Sequence, residues 1–166
     1  MNYAAFSATD LWVENAEDGR FLAEHGLPKE HQVKAFEFWK GYCVGDALPD
    51  VSKVDPLLIP AEALPGVDLI EVKFSPTRFR IRLWGTGNVA AAGQDYSGTQ
   101  MEEAGMLDGI RRLNAVVEKR LPYFAIIPLD WHSDEYRHTT HYSVLGLPFQ
   151  DKNGDITRIL CLLGFG

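Results

Sequence analysis

Cysteine is scarce in this chain: its 166 residues include only Cys43 and Cys161, which lie far apart among apolar neighbours. Such a pair predicts two buried, reduced thiols and no disulfide framework of the kind that small secreted domains use in place of a large core. Long hydrophobic runs are missing too, since no apolar segment approaches the roughly 20 residues that a membrane-spanning helix needs. The N-terminus also lacks the basic and then apolar pattern of a signal peptide. We therefore expect a cytoplasmic protein.

Positive charge is in short supply as well. The chain has 16 Lys and Arg against 23 Asp and Glu, which gives a formal net charge of −7. This balance argues against a broad surface for nucleic acid or for an anionic membrane. With 46% hydrophobic residues, the chain can bury the core of one domain without a metal or disulfide.

The usual sequence motifs of catalytic sites are absent. No serine lies in G-x-S-x-G, there is no P-loop, and neither cysteine has a base nearby in the sequence. The densest group of ionisable side chains is 130–141, which offers an acid–base pair or a metal site on one interpretation and a solvated connection on the other. His138 and His141 are three residues apart on a predicted strand and therefore point to opposite faces. We expect no metal there.

The front of the chain predicts helices. Residues 9–25 fit one or two short helices, and Pro28 to Val44 fits a longer one that begins at the proline. We expect residues 1–45 to form a helical extension that covers one face of a sheet or a dimer interface. The apolar stripe of the longer helix, with i, i+3, i+4 and i+7 spacing, supplies the predicted dimer contacts: Ala35, Phe38, Trp39 and Tyr42.

The period of the apolar residues then changes from 3.6 to 2, which indicates strands. Ser75-Pro76-Thr77 and Asn153-Gly154 are short connections that predict two hairpins. The predicted strands are 67–74, 78–83, 123–129, 136–149 and 156–165. The last strand is apolar on both sides and must therefore be covered on both sides.

A helix is expected between the second and third strands. Thr99 and Glu102 have the spacing of a capping box, and Pro122 ends the helical pattern. Two hairpin groups separated by a helix predict an α+β fold, with one antiparallel sheet and helices on a face. The inward stripe of this helix, together with two aromatic residues near the preceding glycines, forms the predicted ligand pocket: Met106, Ile110, Leu113, Val117, Trp84 and Tyr96.

Two features between the hairpins have competing interpretations. Gly85 to Ala90 matches G-x-G-x-x-A, a pattern that lets a pyrophosphate approach a helix in dinucleotide-binding folds. The strand before it carries Arg78, Arg80 and Arg82, however, and a buried parallel strand is a continuous apolar run. We therefore favour a turn for the glycines. The arginines offer an anion or partner site, and the alternative that we favour is pairing with an acid such as Glu71 across the sheet.

Several segments of the chain together resemble the alphaproteobacterial branch of PAS-like domains, which are small bacterial proteins. The resemblance extends over about residues 36–166 and rests on Phe38-Trp39, Leu48-Pro49, Asp55-Pro56, Phe79-Arg80-Ile81-Arg82-Leu83-Trp84-Gly85-Thr86, Gly93-Gln94-Asp95-Tyr96-Ser97-Gly98 and Leu147-Pro148. It implies a PAS-like domain over residues 46–166, with a five-stranded antiparallel sheet and helices that enclose a small-molecule pocket, often in a homodimer. It also implies a sensory or regulatory role without catalysis, through an unidentified small molecule or a separate signalling protein.

The resemblance names no cofactor. Flavin-photosensor and haem-binding variants of the fold need a cysteine or histidine on the helices that close the pocket, and residues 86–120 contain neither. The cofactor therefore stays unknown. A rival from another class is a small α+β-barrel isomerase or hydrolase with Asp130 or His132 as its base, although that fold places its helices before the strands. A structural interaction domain with a filled core is the third alternative.

Overall fold

The computed structural model describes residues 11–15 and 28–165, with the backbone alone at Asn15. No helix in these two ranges is long and apolar enough to cross a membrane. Besides three short 3-10 turns, the elements in chain order are β1 (Trp12–Asn15), α1 (Glu30–Gly41), β2 (Val67–Lys73), β3 (Arg78–Trp84), α2 (Thr86–Ala92), α3 (Leu107–Lys119), β4 (Tyr123–Pro128), β5 (His141–Gln150) and β6 (Ile156–Phe165).

The strands form one sheet in the order β1-β4-β5-β6-β2-β3. Two hairpins, β2/β3 and β5/β6, meet where β2 pairs with β6, and every pair except β1/β4 is antiparallel. Helices α2 and α3 lie in the connection between β3 and β4. The predicted α+β fold, its two hairpins and its helical crossover are therefore confirmed, but the described residues contribute six strands to the sheet and not five.

The extra strand corrects the prediction of helices over residues 9–25. Residues 12–15 are extended and pair in parallel with residues 123–126 of β4. Residues 9, 10 and 16–25 of that prediction lie outside the described part of the chain. Pairing with the free edge of β4 supplies backbone partners, and this tertiary gain overrides a weak local helix preference.

Helix α1 covers the face of the sheet that lies opposite α3, which is one of the two roles expected for it. The Gln32 amide donates hydrogen bonds to the Leu162 carbonyl (2.9 Å) and to Ser143 Oγ (3.0 Å). Trp39 Nε1 donates to the Pro148 carbonyl at 2.7 Å. The helix begins at Glu30 and not at Pro28, because the side chain of Gln32 reaches back to accept the Lys29 N–H at 2.8 Å.

The predicted capping box at Thr99 is wrong, because α3 begins only at Leu107. Glu102 Oε1 instead accepts the backbone N–H of Phe79 at 2.9 Å. The Ile81 N–H donates to the Thr99 carbonyl at 2.9 Å. The segment before α3 therefore satisfies the outer edge of β3, which would otherwise be an open template for another strand.

The fourth predicted strand, 136–149, also begins later than expected. Strand β5 starts at His141, and residues 134–136 form a 3-10 turn. His138 therefore lies outside the strand, and the argument that it and His141 point to opposite faces does not apply.

Candidate ligand site

A cavity of about 660 Å³ lies between α3 and the face of the sheet that α1 does not cover. The sheet provides its floor, the first turns of α3 provide one wall, and residues 128–131 complete the rim. A cavity of this size is well within the ~300–1,000 Å³ of ordinary small-molecule sites. Its position is the one that the resemblance implies for a pocket.

Four of the six predicted pocket residues line this cavity: Trp84, Tyr96, Met106 and Leu113. Ile110 and Val117 are half-buried and pack beside the core without lining the cavity. The inward face of α3 is buried at Arg112, Leu113 and Val116. The apolar pattern alone missed Arg112, because a charged residue does not count towards an apolar stripe.

Sheet register places a row of side chains across the cavity floor. Asp68 is the register partner of Trp84 on β3 and of Cys161 on β6. Cys161 is in turn the partner of Gly146, and the ring of Tyr123 lies over that glycine. A Cβ at Gly146 would lie 2.1 Å from the ring, so the absent side chain is what allows the ring to rest on the sheet.

Asp68 is the acidic group of this row. Its Oδ1 is buried and has no hydrogen-bond partner, although the residue as a whole keeps part of its surface towards the open cavity. Burial raises the pKa of this carboxyl from 3.8 to about 8. At neutral pH a carboxyl of this kind is protonated in most molecules. It can donate its proton in a hydrogen bond, or it can lose the proton and bind a cation.

Arg112 is the basic group of the cavity, and it is 4% exposed. Its Nε lies 3.6 Å from Glu14 Oε1 on β1, and the same carboxylate oxygen is 2.6 Å from Arg111 Nη2. The guanidinium therefore has an opposite charge beside it, although Nε makes no hydrogen bond of good geometry. Strand β1 thus supplies the acid that compensates a buried charge in the cavity wall.

Aromatic rings form a curved wall beside the floor. The centroids of Trp84 and Tyr96 are 5.5 Å apart, those of Trp84 and Trp131 are 5.8 Å apart, and those of Trp131 and Tyr142 are 5.0 Å apart. Successive rings are turned by 63–80°, an edge-to-face arrangement. Burial raises the pKa of Tyr142 to about 12, so its hydroxyl stays protonated at neutral pH.

The glycines after β3 serve close packing. A Cβ at Gly85 would lie 2.5 Å from the Pro65 carbonyl oxygen, and one at Gly87 would lie 2.9 Å from the same atom. Strand β3 is antiparallel to its neighbour. The turn that we expected is instead the start of α2, with Gly85 before the helix and Gly87 inside it. The antiparallel pairing still does not fit a dinucleotide fingerprint, since such a fingerprint needs a parallel sheet.

The ionisable segment 130–141 contributes to the rim of the cavity. Asp130 lines it and is exposed, whereas the exposed His132 is directed to the Ser133 carbonyl. Ser133 bonds the carbonyls of Ala90 and Ala91 and so holds the segment against the end of α2. In the ranges 11–15 and 28–165, no three His, Cys, Asp or Glu side chains converge as metal ligands.

The arginines of β3 show the expected pairing at one position. Glu71 is 8% exposed, and its Oε2 lies 3.4 Å from both Arg82 Nη1 and Arg158 Nη2. Arg82 therefore pairs with the acid that the sequence indicated.

The residues predicted at a dimer interface divide into two groups. Ala35 and Trp39 are 0% and 3% exposed and lie on the face of α1 that is buried within the chain, so they present no surface to another subunit. Phe38 and Tyr42 are half-buried and form an edge-to-face pair with centroids 5.3 Å apart. A dimer through this helix stays a prediction that can involve only the second pair.

The comparisons with known proteins give one match. A family model described as a PAS domain matches residues 28–164, which is 137 of the 166 residues. The matched range includes α1 and all strands except β1, so the division predicted at residue 45 stays a prediction. No curated protein and no solved structure matches the chain.

Proposed function

This chain belongs to the PAS domain family, and we propose that it is a sensory domain that binds a small molecule in the cavity between α3 and the sheet. The family makes a sensory, ligand-binding or interaction module the expected class. The choice of ligand binding within that class is ours, and it depends on the interior of this molecule. We further propose that it has no catalytic activity of its own and that a separate partner receives the signal.

The observation that carries the proposal is a large cavity with unpaired polar atoms in its walls. Asp68 Oδ1 and Trp84 Nε1 are buried without a hydrogen-bond partner, and both residues line the cavity. Nearly all buried polar atoms in native proteins are satisfied, because an unsatisfied one costs about 1–3 kcal/mol. A ligand that bonds these atoms would recover this cost, whereas a filled structural core would leave neither the cavity nor the unpaired atoms.

The enzyme alternative receives less support from the geometry. Asp130 lines the cavity, but His132 is directed away from it to a backbone carbonyl. Helix α3 also lies between β3 and β4, an order that differs from the one expected for the isomerase-like barrel.

The test is binding of a neutral fluorescent probe, N-phenyl-1-naphthylamine, to the purified chain. We expect its fluorescence to rise on binding and this rise to be largely abolished by Val144→Phe, because Val144 is 5% exposed and faces the cavity. The matched control is Val117→Phe, the same change at a half-buried position that does not line the cavity.

Thermal unfolding of both variants shows whether each is folded before binding is measured. Equal binding by the wild type and Val144→Phe would contradict the proposal, because the probe would then occupy another surface. No binding by any of the three proteins would contradict it as well.

A further inference from the structure

The cavity floor holds an unpaired acid between two aromatic rings. Trp84 and Cys161 flank Asp68 in the register, and the Tyr123 ring lies over Gly146, the next position in the row. Side chains at such directly opposed positions lie about 4.5–5.5 Å apart at Cβ. The Asp68 carboxyl therefore has an indole on one side and, beyond one thiol, a phenol on the other.

The two buried ionisable groups of the cavity, Arg112 and Asp68, differ in whether they have a partner. Arg112 has Glu14 at 3.6 Å. Asp68 Oδ1 has no hydrogen-bond partner among the described residues, and burial raises the pKa of this carboxyl. Asp130, which is exposed, adds negative charge at the rim of the same cavity. Asp68 is therefore the buried ionisable group of the cavity that has no opposite charge beside it.

The aromatic wall suits the same kind of ligand. The face of an aromatic ring is electrically negative and attracts a cation within about 6 Å of its centroid. Trp84, Trp131 and Tyr142 meet edge to face, so the wall curves around the space above the floor. Aromatic surface next to a carboxylate is the combination that recognises substituted ammonium groups.

We propose that the cavity binds a small organic cation, a protonated or quaternary amine, with its charged nitrogen at Asp68 between Trp84 and Tyr123. This inference rests on the proposed function and narrows its ligand to one chemical class. The unpaired indole N–H of Trp84 adds a requirement, because it needs an acceptor. An amine that also carries an oxygen atom satisfies both unpaired groups.

The probe is choline, and its control is 3,3-dimethylbutan-1-ol, in which carbon replaces the charged nitrogen and the shape is kept. Binding is followed by NMR through the indole N–H resonance of Trp84, which lies at the site. We expect choline to bind at least about tenfold more tightly than the alcohol, since a desolvated contact between a cation and a ring contributes about 1–2 kcal/mol. Asp68→Asn should remove most of this preference for choline over the alcohol, and Asp108→Asn should keep it.

The pH dependence gives a second measurement. Because burial raises the pKa of Asp68 to about 8, choline competes with a proton below that pH, and its affinity should rise up to about tenfold per pH unit towards 8. The affinity of the alcohol should not rise. The other groups that line the cavity around Asp68 do not change protonation in this range. Burial raises the pKa of Cys161, Tyr123 and Tyr142, so these stay neutral, and a guanidinium such as that of Arg112 stays charged.

The outcomes separate this inference from the proposed function. Equal affinities for choline and the alcohol would overturn the inference and leave ligand binding in place. Binding of the neutral naphthylamine without binding of choline would do the same. An unchanged ratio in Asp68→Asn, or an equal loss in Asp108→Asn, would show that general negative charge and not this site attracts the cation. Failure of choline, the alcohol and the naphthylamine together would overturn both proposals.

Discussion

Replacing Asp68 with asparagine should stabilise the protein at alkaline pH. The pKa of this carboxyl is about 8 in the folded chain and 3.8 in its ordinary state. Between these two values the folded state binds more protons than the unfolded state, so stability is greatest below pH ~4 and falls as the pH rises to ~8. Asparagine has nearly the same shape and carries no charge at any pH, so the variant should lack this loss.

The magnitude follows from the difference between the two pKa values. A shift of about four units at about 1.4 kcal/mol each gives an upper limit of about 6 kcal/mol. Asp68 keeps part of its surface towards the cavity, and water there weakens the penalty, so we expect about 3 kcal/mol at pH ~9. Since whole domains are stable by only about 5–15 kcal/mol, this one carboxyl is a substantial fraction of the total.

The assay is urea unfolding of the wild type and the variant at several values between pH ~5 and pH ~9. Other titrating groups affect both proteins alike, so the difference between the two free energies of unfolding isolates Asp68. The control is Asp108→Asn, which removes an exposed carboxylate from the first turn of α3 and should destabilise slightly without this pH dependence. A difference that stays constant over the range would refute the reasoning, because the carboxyl would then be fully hydrated.

Two further predictions concern the sheet and the oligomeric state. In urea unfolding, Gly146→Ala should lower the free energy of unfolding by about 2 kcal/mol, because the new methyl group must displace the Tyr123 ring. Its control, Gly41→Ala, has no atom within 4 Å of the new methyl group and should be neutral or slightly stabilising. Equal effects of the two changes would contradict the packing of that ring. In sedimentation at tens of micromolar, we expect a dimer that Phe38→Glu converts to a monomer, and a monomeric wild type would contradict it. Trp39→Ala is unsuitable for that test, because the indole bonds the sheet within its own chain.

The fold was predictable because its signals are local in the sequence. Short connections such as Asn153-Gly154 identify hairpins, and period-2 runs identify strands, without knowledge of what they contact. Local signals failed where a distant partner decides the structure. Residues 12–15 become a strand because β4 lies beside them, and Glu102 bonds an edge strand when its spacing to Thr99 suggests a helix cap.

Helix α3 shows what an apolar pattern can predict and what it cannot. The stripe of α3 correctly indicated a helix that packs on the sheet, and Leu113 lines the cavity. Arg112 occupies the buried position that the pattern gave no reason to choose. Its burial depends on Glu14, which is 98 positions earlier in the chain and reaches it only through the pairing of β1 with β4. A compensating partner at that distance leaves no trace in local periodicity.

The cavity floor depends on register, and register is a property of whole strands. Trp84 lies beside Asp68 on the cavity face because of an irregularity in the β2/β3 pairing after residue 69, so that Asp68 pairs with Trp84 while Ile70 pairs with Ile81. Side chains alternate between faces, so a slip of one residue would turn the carboxyl to the opposite face of the sheet. In the sequence, Asp68 is a polar residue at the start of an apolar run and looks like the solvated end of a strand. The chemistry of the cavity therefore follows from where five strands are aligned, and a change in that alignment alone would abolish the site without changing any residue in it.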